Sequence, residues 1–152
     1  MKRILALCVC FVYFFMLTTP VTASATAENG QVVSYQVIEV GNGITCVDEV
    51  IEYSNARSTD KTTERKRTFT QDGVVLAVIA FRATFRYDGS TVQVISKTVT
   101  QTETFDGWSY KQNSFTASGG TVTLDAKLTK LLIFNQSFTM ILSCDKDGNI
   151  SY

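Results

Sequence analysis

The run Val74–Tyr87 leaves a chain of this kind few options. It reads Val-Val-Leu-Ala-Val-Ile-Ala-Phe-Arg-Ala-Thr-Phe-Arg-Tyr and is bounded by Asp72-Gly73 and Asp88-Gly89. Asp-Gly pairs favour the positive φ angles of tight hairpin turns. One phase of the run, Val75, Ala77, Ile79, Phe81, Ala83, Phe85 and Tyr87, is apolar throughout. The other begins apolar at Val74, Leu76, Val78 and Ala80 and ends polar at Arg82, Thr84 and Arg86. A period of two makes it a strand, with its first half covered on both faces and its second half on one. It is longer than the usual five or six residues, so a bulge or bend is expected to divide it. The flanking hairpins make it a centre strand, a scaffold rather than a site.

The rest of the chain has the same character. Residues 32–40 and Ile44–Tyr53 read as strands joined by Gly41-Asn42-Gly43. Residues 54–63 are the most polar stretch and read as an exposed loop. Residues 64–71 form a hairpin with Val74–Tyr87. Residues 90–105 carry Thr98, Thr100, Thr102 and Thr104 on one face, as a solvated β-surface does. Asp106-Gly107 turns the chain into 108–116, and Ser118-Gly119-Gly120 turns it again. Val122, Leu124, Ala126, Leu128, Leu132 and Phe134 then hold the even phase. Asn135-Gln136 marks a break, and Phe138, Met140, Leu142 and Cys144 resume that phase. Seven or eight strands, regular turn signals and no convincing helix predict an all-β fold. The expected form is an antiparallel β-sandwich, Ig-like or an open-barrel variant.

An export signal precedes this domain. Lys2 and Arg3 open it, an apolar run extends from Ile4 to Leu17, and Ala23-Ser24-Ala25 follows Pro20. The apolar run is shorter than the roughly 20 residues of a membrane-spanning helix. The expected organisation is a signal peptide, with its signal helix, over 1–25, a frayed linker over 26–31 and a β-sandwich domain over 32–152. Cleavage after Ala27 is the alternative. Losing Lys2 and Arg3 leaves 12 basic residues against 14 acidic ones, a net charge of −2. That balance lacks the basic footprint of a nucleic-acid binder. The short cluster Arg65-Lys66-Arg67 reads as a solvated strand edge.

The 152-residue chain has no histidine. This excludes Ser-His-Asp and Cys-His catalysis, histidine-ligated metals and a histidine pH switch. No catalytic residue, metal ligand or cofactor is assigned. The domain keeps two cysteines, Cys46 and Cys144. After export they are expected to pair, closing a loop of about 98 residues worth roughly 4–5 kcal/mol in the chain-entropy model. Two separate buried thiols are the other possibility.

Residues Ala83-Thr84-Phe85-Arg86-Tyr87-Asp88-Gly89-Ser90-Thr91 and Leu142-Ser143-Cys144-Asp145-Lys146-Asp147-Gly148-Asn149 resemble two stretches of a family. Its members are small exported all-β proteins of unknown function from Gram-positive, gut-type bacteria. They share a threonine-rich β-domain, a Thr-Phe-x-Tyr-(Asn/Asp)-Gly hairpin and a C-terminal Cys-Asp-x-(Asp/Asn)-Gly-Asn end. In that family a second cysteine follows the hairpin, where Val94 stands here, and this chain offers Cys46 instead. The resemblance implies export and a β-fold, and it transfers no activity.

Three functions are compatible with these residues. An exported non-enzymatic domain would bind an extracellular glycan or protein, with Trp108 and Tyr110 after the Asp106-Gly107 turn, together with Tyr53, as the aromatic platform. A secreted carbohydrate hydrolase would use paired carboxylates from Asp48, Glu49 and Glu52, of which Asp48 and Glu52 share a strand face. An assembly subunit would pair through a sheet edge. The first is preferred, with secretion or cell-surface association as its location and no membrane span left after cleavage. Asp145-x-Asp147-Gly148-Asn149 looks like a fragment of a calcium loop, but the bidentate glutamate of such loops does not follow it, and a hairpin turn is expected.

Overall fold

The computed structural model describes residues 30–53, 59–131 and 134–152. Among the described residues the chain forms nine strands. These are β1 (Gly30–Gly41), β2 (Ile44–Tyr53), β3 (Asp60–Gln71), β4 (Val74–Tyr87), β5 (Val92–Thr104), β6 (Trp108–Ser118), β7 (Thr121–Lys130), β8 (Phe134–Cys144) and the short β9 (Ile150–Ser151). They build two antiparallel sheets, β1-β2-β3-β4-β5 and β6-β7-β8-β9. Within each sheet every strand pairs with its neighbours in the chain, whereas the immunoglobulin arrangement needs Greek-key connections. The expected signal segment, Leu132 and most of the polar 54–63 loop lie outside the described residues. Asp60–Thr63, expected in that loop, belong to β3, and Thr63 is fully buried.

The long central strand forms as its alternation predicts, with one register shift against β3 and two against β5. β4 pairs with β3 and β5, and its register against β3 slips between Thr70↔Val75 and Phe69↔Ala77. Leu76 is the extra residue. This bulge lets both Leu76 and Ala77 turn into the core. Val74 and Val75, before the bulge, are exposed rather than covered on both faces. Beyond it Ile79, Phe81, Ala83 and Phe85 are buried on one phase. Ala80, on the other, is shielded because it lies between Lys66 and Gln101 on the flanking strands.

One hydrophobic cluster joins the sheets. Val50, Phe69, Ile79, Phe81 and Phe85 come from the first, and Val122, Leu124, Leu128, Met140 and Leu142 from the second. The arrangement is therefore sandwich-like, with two layers over a common core. The sheets also meet along two polar seams. Where β5 hands over to β6, Val94 N–H donates to Gly119 O at 3.1 Å. There Lys97 Nζ donates to Phe115 O at 2.7 Å and lies 4.1 Å from the Phe115 ring centroid. The opposite seam is made by two arginines of β3, described below.

The turns follow the Asp and Gly signals except in one place. The break expected at Asn135-Gln136 falls instead after Leu131, which adopts φ +50° and is largely exposed, while Asn135 and Gln136 lie within β8. Phe134, expected inside, is partly exposed. At the far end of the molecule, the two stretches that carry the family resemblance touch. Gly89 N–H donates to Lys146 O at 2.8 Å, and Gly148 lies against the Tyr87 ring.

Candidate functional site

The basic cluster of β3 is not a solvated edge. β3 is a central strand, and its odd positions Thr63, Arg65, Arg67 and Phe69 face the space between the sheets. The even positions of β2 face the same way, which sets Asp48 directly across from Arg67. Arg65 Nε donates to Asp48 Oδ1 at 2.9 Å and its Nη2 to Oδ2 at 2.6 Å. Arg67 Nε donates to Oδ2 at 2.9 Å. Each guanidinium then reaches the other sheet: Arg65 Nη1 donates to Ile141 O at 2.6 Å and Arg67 Nη1 to Thr139 O at 2.9 Å. Two carbonyls of β8 are thereby satisfied by side chains from the opposite sheet. Burial by itself would raise the Asp48 carboxyl. The Arg65 hydrogen bonds and the two guanidinium charges outweigh it and hold the group below the usual carboxylate value. Only Lys66 of the cluster faces outward, where it pairs with Glu49 at 3.0 Å.

Beside this seam lies a cleft of about 240 Å³, lined by Ile38, Val40, Cys46, Arg67, Phe69, Gln136, Ser137 and Phe138. Phe69 and Phe138 meet in a tilted contact with centroids 5.2 Å apart. Cys46 forms part of the wall as a free, buried thiol. Burial is the main reason its pKa is raised to about 11; Asp48 adds to the effect, and Arg67 and Arg65 oppose it.

Cys144 is also free and buried, so the expected Cys46–Cys144 disulfide is not formed. Strand direction explains why. Cys144 lies within the fields of Lys61, Asp145 and Glu52. Glu52 is six positions along β2 from Cys46, about 20 Å at the usual strand rise. A disulfide needs Cα atoms about 4.4–6.8 Å apart.

The proposed acidic pair does not assemble either. Asp48 and Glu52 do share the inner face, yet four strand positions separate them by about 13 Å, beyond the roughly 5–9.5 Å of glycosidase carboxylates. Each also has its own cation: Asp48 has Arg65 and Arg67, and Glu52 has Lys61 at 3.3 Å. The aromatic pair is turned inward. Trp108 is 6% exposed, belongs to the core and packs 6.1 Å from Phe134 between centroids. Tyr110 packs against the same core, and its buried hydroxyl and the Trp108 indole N–H have no hydrogen-bond partner. Trp108 offers no ring face for stacking on a sugar, and Tyr110 is half-buried against the same core. At Asp145 the carboxylate closes its own turn, accepting from the backbone N–H of Asp147 and Asn149 and from Asn149 Nδ2 at 2.8–2.9 Å.

The surface that stands out is β1. It pairs with β2 alone and forms the open edge of the five-stranded sheet. Val32, Val33, Tyr35, Val37 and Ile38 are exposed, Tyr35 to 62% and Val37 to 59%. Tyr35 and Val37 stand opposite Glu49 and Val47 on the outer face, and Ile38 opposite Cys46 on the inner. Edge strands are ordinarily protected by lysine, proline, short length or bulges. β1 has no lysine, arginine or proline, and Glu39 is its one charged residue. Its register slips only near its ends, at Val33 and Val40, so the segment between pairs regularly.

Compared with family models, curated proteins and solved structures, the chain finds no match.

Sequence reasoning missed both Arg65 and Arg67 as inner residues and β1 as a surface. Phase carried the first signal, since Arg65 and Arg67 alternate in step with Phe69, and Asp48 in step with Cys46 and Val50. The absence of any gatekeeping cation between Gly30 and Gly41 carried the second.

Proposed function

We propose that the chain is exported, loses residues 1–25, and acts outside the cell as a non-enzymatic assembly domain that adds its β1 edge to a second copy of itself. The closed-off aromatics and separated acids give the glycan-platform and hydrolase readings no geometric support. The observation that carries the assembly reading is β1, a twelve-residue edge strand with five large apolar side chains exposed and a single charge. Pairing through an edge uses backbone groups for affinity and alternate side chains for specificity. β1 is suited to its own copy. An antiparallel pairing centred on Gln36 sets Tyr35 against Val37 of the second copy and Glu39 against Val33. Tyr35 then meets Val37 and Val32 meets Val40, and the two Glu39 carboxylates stay apart. A Gram-positive bacterial origin and a sandwich of open-barrel type fit this reading, the latter because a meander with two seams leaves one edge strand overhanging.

The test is the oligomeric state of residues 26–152, measured by sedimentation equilibrium. A concentration-dependent dimer is expected. Val37→Lys puts a charge on the pairing edge and is expected to give a monomer whose stability changes by less than about 0.5 kcal/mol, as for an ordinary surface substitution. A wild-type protein that stays monomeric at the highest soluble concentration, or a Val37→Lys dimer as strong as wild type, overturns the reading.

A further inference from the structure

The cleft beside the arginine seam shares Ile38 and Val40 with β1 and adds a guanidinium that edge pairing does not use. Its walls are apolar on three sides, from Ile38 and Val40 of β1, Phe69 of β3 and Phe138 of β8. Arg67 supplies the polar wall. Charge is not balanced there. Arg65 and Arg67 share the single carboxylate of Asp48, so the seam keeps one positive charge that no acid among the described residues neutralises. Donors are also left over. A guanidinium has five N–H groups. Arg67 directs Nε at Asp48, holds Nη2 in an ion pair with the same carboxylate and gives one Nη1 N–H to Thr139 O, so even with one Nη2 N–H counted for Asp48 two remain. Those two sit on the terminal nitrogens, the part of an arginine that takes a carboxylate. Gln136 and Ser137 at the rim add further hydrogen-bonding groups.

We infer that this cleft binds a small carboxylate with an apolar body, its acid on Arg67 and its alkyl or aryl portion between Phe69, Phe138 and Ile38. Size limits the ligand. The volume of about 240 Å³ lies below the roughly 300–1,000 Å³ of pockets for drug-sized molecules, so a medium-chain fatty acid or a phenylalkanoic acid fits and a sugar polymer does not. Charge selects the acid over its neutral counterpart, because a half-buried guanidinium that shares its one carboxylate with Arg65 gains a charge-assisted bond only from an anion. The thiol of Cys46 stays protonated in this wall and acts as an apolar neighbour.

Hexanoate and 3-phenylpropionate serve as probes against residues 26–152, with hexanol and 3-phenylpropanol as uncharged partners of the same shape. Binding is read by titration of protein amide NMR shifts. Both acids are expected to move the amides of β1, β3 and β8 that surround the cleft and to bind about tenfold or more tightly than their alcohols. Arg67→Gln is expected to remove that preference. Because Arg67 also bridges the sheets, Ile38→Trp is the second variant; it fills the cleft from a partly exposed edge position and is expected to weaken both acids about tenfold or more. Equal affinity for acid and alcohol, shifts confined to other surfaces, or full binding by folded Ile38→Trp overturns the inference. Repeating the titration on the Val37→Lys protein, whose cleft lining is unchanged, separates this inference from the dimer reading.

Discussion

At the scale of the residue, Asp48 is the group on which most depends. Its two oxygens hold two guanidinium groups at 2.6–2.9 Å in a space from which water is largely excluded. Removing one partner from such a cluster is worse than removing all of it, because the remaining charges stay buried without compensation. Asp48→Asn keeps the shape and removes the charge. It is expected to cost about 3–5 kcal/mol in urea unfolding, against less than about 1 kcal/mol for Glu49→Gln, whose pair with Lys66 lies on the outer face. Acid acts on the same group. Its folded-state pKa lies below the ordinary carboxylate value, so its contribution is complete above that value. As the pH falls past it, the unfolded chain takes up the proton first and stability declines until the folded carboxylate is itself protonated. The wild-type protein is therefore expected to lose stability on acidification through and below that range, and Asp48→Asn to show a flatter profile over the same interval. The role of Asp48 was legible only in outline. Alternation placed it on one face of β2, but the cations that fix it lie on another strand, and a run of three basic residues looks solvated until β3 is known to be central.

At the scale of the element, the turns carry most of the fold's specification. The Asp-Gly pairs at 72–73, 88–89 and 106–107 reverse the chain where the sequence placed them, with positive φ at Asp72, Gly73, Gly89, Asp106 and Gly107. The turn after β7 was not legible because its positive φ falls on Leu131, a residue with no turn chemistry. Gly148 shows what such a position can cost. Its φ is +85°, and a Cβ there would lie 2.5 Å from the Tyr87 ring. Gly73 has a similar φ of +79° with open space around it. Gly148→Ala is expected to destabilise by about 1–3 kcal/mol, and Gly73→Ala by only the backbone part of that, about 1 kcal/mol. Thermal unfolding of the two variants gives the comparison. Adding Tyr87→Ala to Gly148→Ala separates the terms, since the double variant is expected to cost less than the sum of the two single changes. Strict additivity would show that the Tyr87–Gly148 contact does not lock the two turns together.

At the scale of the whole molecule, the question is what holds two sheets together without a covalent link between them. The all-β class was readable from turn spacing and alternation, while the expected seven or eight strands fell short of the nine described, the two-residue β9 carrying no signal of its own. The division into five and four strands was not readable, because the hand-over at Phe105–Gly107 has the same Asp-Gly chemistry as an ordinary hairpin. Cys144 was placed on an inner face by phase alone, and phase says nothing about which end of a sheet a residue occupies. The structure puts Cys144 at the end marked by Lys61 and Glu52, and Cys46 at the end that borders the cleft. Cohesion then comes from the shared core and the two polar seams. The purified mature protein, denatured without reductant, is therefore expected to take up two equivalents of a thiol-alkylating reagent by mass. Its native melting temperature is expected to be the same with and without reductant. In the folded state Cys46 is expected to react about a hundredfold or more slowly than in the unfolded chain near neutral pH, since its pKa of about 11 suppresses the thiolate and burial blocks access. A mass two units lower, with no alkylation before reduction, would mean that the chain had moved β2 and β8 far enough to join the thiols. That movement would break the Arg65 and Arg67 bonds to Ile141 and Thr139, so the disulfide and the arginine seam are alternative ways of closing this side of the molecule.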